Sequence, residues 1–178
     1  LLYMMDQEIV DNIVQFVERG GTLIFTARSG AKDENSNIVP TILPPKIMKL
    51  LGIEIEESIA LPAEVKNSIE CNDGKKYEVS TWIDLIKVNT ATVLARYCED
   101  WYKHSVAMTS NDYGKGKAYY IGTIPEDRFY EYVVADIVKG AGVESILKAP
   151  REVQVCRRTD GTRNIIFVLN TSNKSQFI

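Results

Sequence analysis

The hydrophobic and polar positions of this chain repeat with a helical period between Asp6 and Gly20. Apolar residues recur there at three- and four-residue spacing, with polar residues on the opposite side, which is typical of an amphipathic helix lying on an apolar layer. Asp6 is a suitable N-cap, and Gly20 can take the left-handed conformation that ends a helix. The apolar positions are Ile9, Val10, Ile13, Phe16 and Val17.

The period changes directly after this helix. Thr22 to Thr26 reads TLIFT, a β-branched and aromatic run that predicts a strand covered on both faces in a parallel sheet. The polar segment from Ala27 to Asn37 then leaves the carboxyl end of the strand, where open α/β sheets place their working loops. Helix and strand together predict one αβ unit of a layered α/β fold.

Short strand-like segments follow between Ile53 and Gly122, separated by turn residues at hairpin distances. They predict a largely antiparallel β region inserted into the α/β layer. A short helix around Ile47 to Leu51 precedes this region, and a helix from Phe129 to Lys139 follows it. The predicted strands are Ile53 to Ile59, Val65 to Cys71, Lys76 to Val79, Trp82 to Val88, Thr92 to Tyr97, Ser105 to Ser110 and Lys117 to Ile121.

The chain closes with a predicted β hairpin. Val153 to Arg157 and Ile165 to Leu169 flank the turn signal Asp160-Gly161, while Ala149-Pro150 interrupts the chain before them. We therefore expect two domains, residues 1–149 and residues 150–178, with the second a small all-β fragment.

Several segments resemble one family when they are taken in order: VERGGTLIFTARSG, ILPPKIMKLLGI, YGKGKAYYIGT and AGVES. Together they are similar to the trimerisation domain of family 42 glycoside hydrolases, the β-galactosidases. The resemblance implies a layered sheet of the flavodoxin-like, class I glutamine-amidotransferase-like kind, incomplete at its N-terminus, over residues 1–149. Residues 150–178 would then begin the C-terminal β domain.

The same resemblance implies a function for the whole protein. The parent would be a cytoplasmic homotrimeric β-galactosidase that assembles through this domain and removes terminal non-reducing β-D-galactose residues. Its galactoside substrate would be bound by a catalytic barrel that lies outside this chain. Two alternatives remain open from the residues: a stand-alone amidotransferase-like or flavodoxin-like enzyme domain, and a sugar-binding accessory domain.

Composition narrows the possible partners. The formal net charge is −3 and the cationic residues are scattered, so we expect no nucleic-acid partner. The apolar runs are too short for a membrane span. Cys71, Cys98 and Cys156 are far apart and form no CxxC pair, which favours a reducing cytoplasm and predicts neither a metal site nor a cofactor.

Candidate chemistry is sparse. The acidic residues fall at predicted strand edges, turns and caps, no cysteine lies in a nucleophile elbow, and His104 is the single histidine. The sequence therefore predicts no catalytic residue, and the chain alone is expected to be inactive. We expect interface contacts instead at Arg28, Ser29 and Gly30, which follow the first strand, and at Trp101 and Tyr102, whose aromatic rings suit an interface.

Overall fold

The computed structural model describes residues 2–38 and 41–178. It is a mixed α/β structure whose chain divides into two compact units, the first ending at Ala135 and the second running from Asp136 to Ile178. Unit 1 holds a large sheet with two main helices and a short irregular helical segment before Ala135, and unit 2 holds a separate two-stranded sheet. Within the described ranges, no helix has the length and apolar content that crossing a membrane requires.

The first helix, α1, spans Gln7–Glu18, as predicted. The Asp6 carboxylate caps it by accepting a hydrogen bond from the backbone N–H of Ile9 at 2.7 Å. The helix ends before Gly20, which has a φ of 116°. Val10 and Val17 point into the core, but the expected burial of Phe16 is wrong, since its side chain is 53% exposed. Its ring lies over Gly21 at the end of the helix and covers the turn rather than the sheet.

Eight strands form the sheet of unit 1. Its order is β1-β7-β6-β5-β3-β4-β2, with β8 paired to β4. The β1–β7 pair is parallel and the other pairs are antiparallel, so the predicted antiparallel insertion is confirmed. The strands are β1 Thr22–Thr26, β2 Ile53–Ala60, β3 Asn67–Cys71, β4 Lys76–Val88, β5 Thr92–Tyr97, β6 Val106–Tyr113, β7 Gly116–Ile121 and β8 Thr123–Pro125.

Strand β1 lies at the edge of this sheet rather than in its middle. Among the described residues, β7 is its one strand neighbour, and Phe25 is its one buried side chain. No residue of β1 is exposed and the other four are half-buried, so both faces are partly covered. The edge position concerns hydrogen-bonded neighbours within the sheet, which an apolar run does not specify.

Strand β4 joins two strands that the sequence separates. The predicted segments Lys76 to Val79 and Trp82 to Val88 form one strand of 13 residues. Thr81, between them, has a φ of 66°, and the register against β8 shifts between Ser80 and Ile83. The polar pair Ser80-Thr81 thus marks a bulge that bends the strand and does not end it.

The main core of unit 1 lies where the two helices cover the sheet. The second helix, α2, spans Pro45–Leu51 and begins with proline at its first position. Its buried side chains join those of α1 and the strands in one apolar cluster, which anchors the end of β1 and the loop after it. The buried members include Val10, Val17, Phe25, Leu43, Ile47, Leu50, Leu51, Ile53 and Tyr120.

The predicted last helix is present but irregular. Asp127–Phe129 form a single α-helical turn, α3, followed by a π-helical segment over Tyr130–Val134 and by α4 over Ala135–Gly140. Strands β9, Val153–Thr159, and β10, Asn164–Asn170, then form the predicted hairpin of unit 2. Every residue of β10 is exposed, including five successive apolar ones from Ile165 to Leu169.

Candidate functional site

The loop after β1 carries Arg28 between two aromatic rings. Its guanidinium carbon lies 4.5 Å from the centroid of the Trp82 ring and 5.3 Å from that of Tyr3. The Arg28 Nη2 group also donates a hydrogen bond to the Tyr3 hydroxyl at 2.6 Å. Both rings attract the cation through their electron-rich faces. The arginine is therefore held in one orientation while part of it stays exposed to solvent.

The backbone of this loop is fixed by the strands around it. The Ala27 N–H donates to the carbonyl of Ile121, and the Gly30 N–H donates to that of Leu2, each at 2.8 Å. Ser29 is 3% exposed. A Cβ on Gly30 would approach the Met5 methyl and the Pro44 ring at about 3.0 Å, and its φ is 69°. Ser29 and Gly30 thus hold the turn from inside, and Arg28 is the member of the predicted trio that reaches the surface.

A second cation extends the stack. Lys32 Nζ lies 5.6 Å from the centroid of the Tyr3 ring. Lys32 also ties its own segment to the first residues of the chain, since its backbone N–H donates to the carbonyl of Tyr3 at 3.1 Å. We call the surface formed by Tyr3, Arg28, Lys32 and Trp82 the Arg28 platform. It alternates aromatic rings with positive charges.

A buried carboxylate lies behind this platform. Asp84, on β4, is fully buried, and three side chains donate hydrogen bonds to it. Trp82 Nε1 donates at 3.1 Å, the Tyr120 hydroxyl at 2.6 Å, and the Ser58 hydroxyl donates to the same oxygen as Trp82. Burial raises the pKa of the Asp84 carboxyl, although these donors and the positive charge of Arg28 oppose the shift. The Asp84 carboxylate is thus fully hydrogen-bonded, although burying its charge costs free energy of folding.

Two tyrosines complete the buried network. The Tyr97 hydroxyl donates to the carbonyl of Gly122 at 2.9 Å and lies 3.3 Å from the Asp84 carbonyl. Burial and the nearby Asp84 charge raise the pKa of both Tyr97 and Tyr120 well above the usual value. Both phenols therefore stay protonated near neutral pH and act as hydrogen-bond donors. The network connects β2, β4, β5 and β7.

Trp82 connects the core network to the surface. Its indole N–H is bound to Asp84, while its ring face carries Arg28. A guanidinium has five N–H donors, and within residues 2–38 and 41–178 Tyr3 is its one side-chain acceptor. The remaining donors can bind a carboxylate or a carbonyl of another molecule. Asp84 itself is fully enclosed, so it cannot face a sugar in the way that the paired carboxylates of glycosidic cleavage do.

The second predicted pair lies in the loop between β5 and β6. Tyr102 is 2% exposed, whereas Trp101 is 69% exposed. The Tyr102 ring packs edge-to-face against Tyr97 at 5.5 Å and against Trp101 at 5.4 Å. Its hydroxyl accepts a hydrogen bond from Asn67 Nδ2 at 2.9 Å. Tyr102 therefore supports the loop from inside, and Trp101 is the ring that another molecule can reach.

One hollow of unit 1 brings two cysteines and the single histidine together. Cys71 and Cys98 line this hollow together with His104 and several charged residues. Burial, followed by the charge of Asp73, raises the pKa of the Cys71 thiol to about 11, so this thiol is protonated at neutral pH and is a poor nucleophile. In the part of the chain that the structure describes, no group of His, Cys, Asp and Glu side chains could hold a metal ion.

Sequence reasoning missed Trp82 and Asp84. One signal was available: Asp84 is the single charged residue in the apolar run WIDLI, and a lone acid in a buried strand needs partners. Apart from Trp82, the side chains that bind Asp84 are far away in sequence. Tyr3 and Tyr120 lie on other elements, so the spacing of residues could not connect them to Asp84 or Arg28.

The chain is similar to proteins of one kind along nearly its whole length. Residues 1–144 match the family model described as the beta-galactosidase trimerisation domain. The chain is 34% identical over 170 residues to the beta-galactosidase BgaB of Geobacillus sp., which covers 96% of this chain and 25% of that protein. It is 33% identical over 177 residues to LacZ of Lactobacillus acidophilus, covering 99% of this chain and 26% of that protein.

Solved structures give the same result. A catalytic mutant of Gan42B, a GH42 beta-galactosidase from G. stearothermophilus, superposes with a TM-score of 0.84 at 31% identity, covering 98% of this chain and 26% of that one. The beta-galactosidase from Bacillus circulans sp. alkalophilus superposes with a TM-score of 0.85 at 30% identity, covering 95% of this chain and 26% of that one. The chain spans about a quarter of the length of these relatives.

Proposed function

Because the chain belongs to the family of beta-galactosidase trimerisation domains, we propose that it is the assembly module of a longer β-galactosidase. The observation that carries this proposal is the match of the family model to residues 1–144. The relatives that cover nearly all of this chain are themselves named beta-galactosidases and are about four times as long. The module would act by association and would leave hydrolysis to the rest of the polypeptide.

The remaining features of the whole protein belong to the same proposal. The full-length enzyme would be a cytoplasmic homotrimer that removes terminal non-reducing β-D-galactose residues from galactosides bound outside this chain. The three cysteines, each free, suit a reducing compartment. Residues 1–149 would form a flavodoxin-like, amidotransferase-like layer. Residues 150–178 would begin a small β domain, and the exposed apolar residues of β10 support this assignment because such a strand needs cover.

We assign two surface anchors to the subunit contacts. The first is the Arg28 platform, where a fixed guanidinium offers unused donors beside two rings. The second is Trp101, whose ring is 69% exposed although its neighbour Tyr102 is buried. Arginine, tyrosine and tryptophan are the residues that most often dominate binding energy at interfaces. Ser29, Gly30 and Tyr102 would hold these anchors in place from inside the subunit.

A closed ring of three copies constrains what these anchors meet. In a cyclic trimer, each contact joins one patch on a subunit to a different patch on its neighbour. The Arg28 platform therefore needs an acidic or carbonyl-rich surface on the next subunit, since two copies of the platform would repel each other.

Light scattering on the full-length enzyme tests the assembly proposal. We expect a mass of three subunits that persists on dilution to nanomolar concentration. A strictly monomeric full-length enzyme that hydrolyses galactosides would contradict the proposal, because the domain would then be dispensable for association.

A further inference from the structure

Trp82 connects the buried Asp84 carboxylate to the Arg28 platform. Asp84 and Trp82 are two residues apart on β4, so they point to the same face of the sheet. Ser58 lies opposite Asp84 in the register of β2, and Tyr120 reaches the carboxylate from β7. One carboxylate thus joins three strands to the ring that carries Arg28.

Among the described residues, every side chain that bonds to the Asp84 carboxylate donates to it. Oδ1 accepts hydrogen bonds from the Ser58 hydroxyl and from Trp82 Nε1, and Oδ2 accepts one from the Tyr120 hydroxyl. A protonated carboxyl carries an O–H that needs an acceptor of its own, and an indole N–H can only donate. The arrangement therefore fits the charged form, and adding a proton has to reorient at least one donor.

The charge of Asp84 also helps to hold Arg28 in place. The guanidinium carbon lies 4.5 Å from the centroid of the Trp82 ring. Burial raises the pKa of the Asp84 carboxyl, and the positive charge of Arg28 opposes this shift, so the two groups attract each other. A hydrogen bond from an indole N–H to a carboxylate is roughly twice as strong as one to a neutral acceptor. Loss of the Asp84 charge therefore weakens the restraint on both Trp82 and Arg28.

Asp84 is the group of this cluster that titrates in acid. The phenols that face it are Tyr97 on β5 and Tyr120 on β7, and burial together with the Asp84 charge raises the pKa of both well above the usual value. A guanidinium is not deprotonated in proteins, so Arg28 stays charged. Lys32 adds a second positive charge on the far side of the platform. Because burial raises its pKa, the Asp84 carboxyl takes up a proton at a higher pH than an exposed aspartate does.

We propose that Asp84 is a proton-sensitive positioning residue for the Arg28 platform. Its carboxylate fixes Trp82, Trp82 carries Arg28, and protonation of Asp84 releases the guanidinium from the ring. The platform therefore presents an ordered cation when Asp84 is charged and a mobile one when it is protonated. This switch lies within one chain. Only its consequence for assembly, a trimer that weakens in acid, rests on the proposed function.

Fluorescence of Trp82 tests the switch in the 178-residue chain. The sequence holds two tryptophans, so Trp101→Phe leaves Trp82 as the single reporter. We expect its emission to titrate with a midpoint above 3.8, the ordinary pKa of aspartate. Quenching by acrylamide should increase as pH falls through that midpoint, because the guanidinium no longer covers the ring. Circular dichroism identifies the pH range in which the fold is intact, and the titration is measured within it.

Substitutions in the cluster should shift the midpoint in a known direction. Arg28→Ala removes the cation that stabilises the carboxylate, so the midpoint should rise by about 0.5 pH unit or more. Arg28→Lys keeps the charge and should stay closer to the wild-type midpoint. Asp84→Asn should abolish the titration. If Asp84→Asn fails to fold, Ser58→Ala replaces it and should raise the midpoint, because it removes a donor that stabilises the carboxylate.

Matched controls make the same changes away from the cluster. Arg128→Ala removes an arginine whose donors are engaged by Glu126, and Asp112→Asn removes an exposed carboxylate that is paired with Lys117. Both should leave the midpoint unchanged. If the 178-residue chain does not fold by itself, a fluorinated tryptophan placed at position 82 of the full-length enzyme reports the same titration by fluorine NMR.

Each outcome has a separate meaning. Emission of Trp82 that stays constant wherever the fold is intact overturns the proposal, and so does a titration that persists in Asp84→Asn. A midpoint in Arg28→Ala equal to or below that of the wild type also overturns it, because Asp84 would then not act on Arg28. If the titration and its shifts appear while the trimer dissociation constant stays the same across that pH range, the switch stands and the subunit contact proposed for the platform fails.

Discussion

At the scale of single residues, Asp84 and Arg28 are linked because both contact the side chain of Trp82. The carboxylate is buried and holds the indole N–H, and the indole face holds the guanidinium. A substitution at Asp84 would therefore act on Arg28 through the position of the Trp82 ring. Arg28 itself is restrained by two rings and the Tyr3 hydroxyl, so it loses less side-chain entropy on binding than a free arginine does.

Arg28→Ala in the full-length enzyme should weaken the trimer, because it removes both the donors and the charge of the platform. We expect the dissociation constant to rise by about tenfold, the size typical of an interface hot spot. Analytical ultracentrifugation over a dilution series measures this. Arg28→Lys should give an intermediate loss, since lysine keeps the charge without the planar fork.

A suitable control for this change is Arg128→Ala. Arg128 donates two hydrogen bonds to Glu126 within the chain, at 3.0 and 2.8 Å, so its donors are already engaged. Equal trimer dissociation constants for the wild type and Arg28→Ala would show that the platform does not contribute to the subunit interface.

Asp84→Asn should change how stability depends on pH. Because burial raises the pKa of Asp84 above 3.8 in the folded state, the folded protein binds this proton more tightly than the unfolded chain does. The stability contributed by that proton is fully present below the unfolded pKa and is lost as pH rises through the folded pKa. The wild type should therefore lose stability relative to Asp84→Asn as pH increases through this window.

Urea unfolding at a series of pH values from 3 upward measures this difference. Other titrating groups are shared by the two proteins, so subtracting their free energies of unfolding isolates Asp84 to a first approximation. A difference that stays constant with pH, or that changes in favour of the wild type, would contradict the raised pKa.

At the scale of elements, the junction between α1 and the sheet depends on very close backbone approach. Gly116, the first residue of β7, has no room for a side chain, because a Cβ there would lie 2.2 Å from the Val17 carbonyl oxygen and 2.3 Å from that of Gly21. The end of α1 and the beginning of β7 are therefore in direct backbone contact. Gly114-Lys115-Gly116-Lys117 forms the tight connection between β6 and β7, and its backbone also contacts the end of α1.

Gly116→Ala should destabilise the domain by about 2 kcal/mol or more, because backbone atoms on two elements would have to move. Gly140→Ala is the matched control, since nothing lies within 4 Å of a Cβ at that helical position, and it should be neutral or stabilising by up to about 1 kcal/mol. Thermal and urea unfolding of both variants measure the contrast. Equal stability of Gly116→Ala and the wild type would show that α1 is not seated on β7.

Helix α1 also shows how burial, and not hydrophobicity alone, sets the cost of a mutation. Phe16 occupies an apolar helical position but is 53% exposed, whereas Ile47 in α2 is fully buried. Ile47→Ala should therefore cost about 2–5 kcal/mol, and Phe16→Ala should cost clearly less than the 3–5 kcal/mol typical of a buried phenylalanine. The urea midpoints of the two variants compare them directly.

At the scale of the whole molecule, a large sheet unit and a small hairpin unit share one chain. The chain spans about a quarter of the length of these relatives. Asp84 is enclosed, and Glu54 is paired with Lys87 and Asn89 at the surface.

The isolated chain should hydrolyse no galactoside. Glycosidic cleavage requires two carboxylates that face the sugar, whereas the acids that the structure describes have partners or lie exposed at strand edges and turns. A chromogenic galactoside assay on the repurified chain, run beside the full-length enzyme, measures this. Turnover that copurifies with the chain through successive columns would refute the assembly-module proposal.

Much of the local structure could be predicted because it depends on neighbouring residues. The helix Gln7–Glu18 with its Asp6 cap, the strand Thr22–Thr26, the antiparallel insertion and the hairpin of β9 and β10 all follow from periodicity and turn chemistry. The family resemblance likewise depends on ordered local motifs. Errors arose where local rules give no answer: Phe16 is exposed, and the bulge at Thr81 continues a strand that appeared to end.

The candidate site was only partly predictable. Arg28 and Trp101 could be proposed from their position and residue type, and the structure leaves both within reach of another molecule. The sequence could not predict that Ser29, Gly30 and Tyr102 face inward, because partners such as Met5, Pro44 and Asn67 bury them. Their proposed interface role therefore stays a prediction, now as supports for their exposed neighbours.

The sequence by itself determined most of the elements, their order, the charge balance and the family of this chain, since each is encoded in residues close to one another. Only the tertiary structure decided that Tyr3, Trp82 and Asp84 gather around Arg28, and that Ser58 and Tyr120 bind Asp84. Such groups come from strands that pair across long sequence separations. Their register depends on the packing of the whole sheet, which no local pattern of residues specifies.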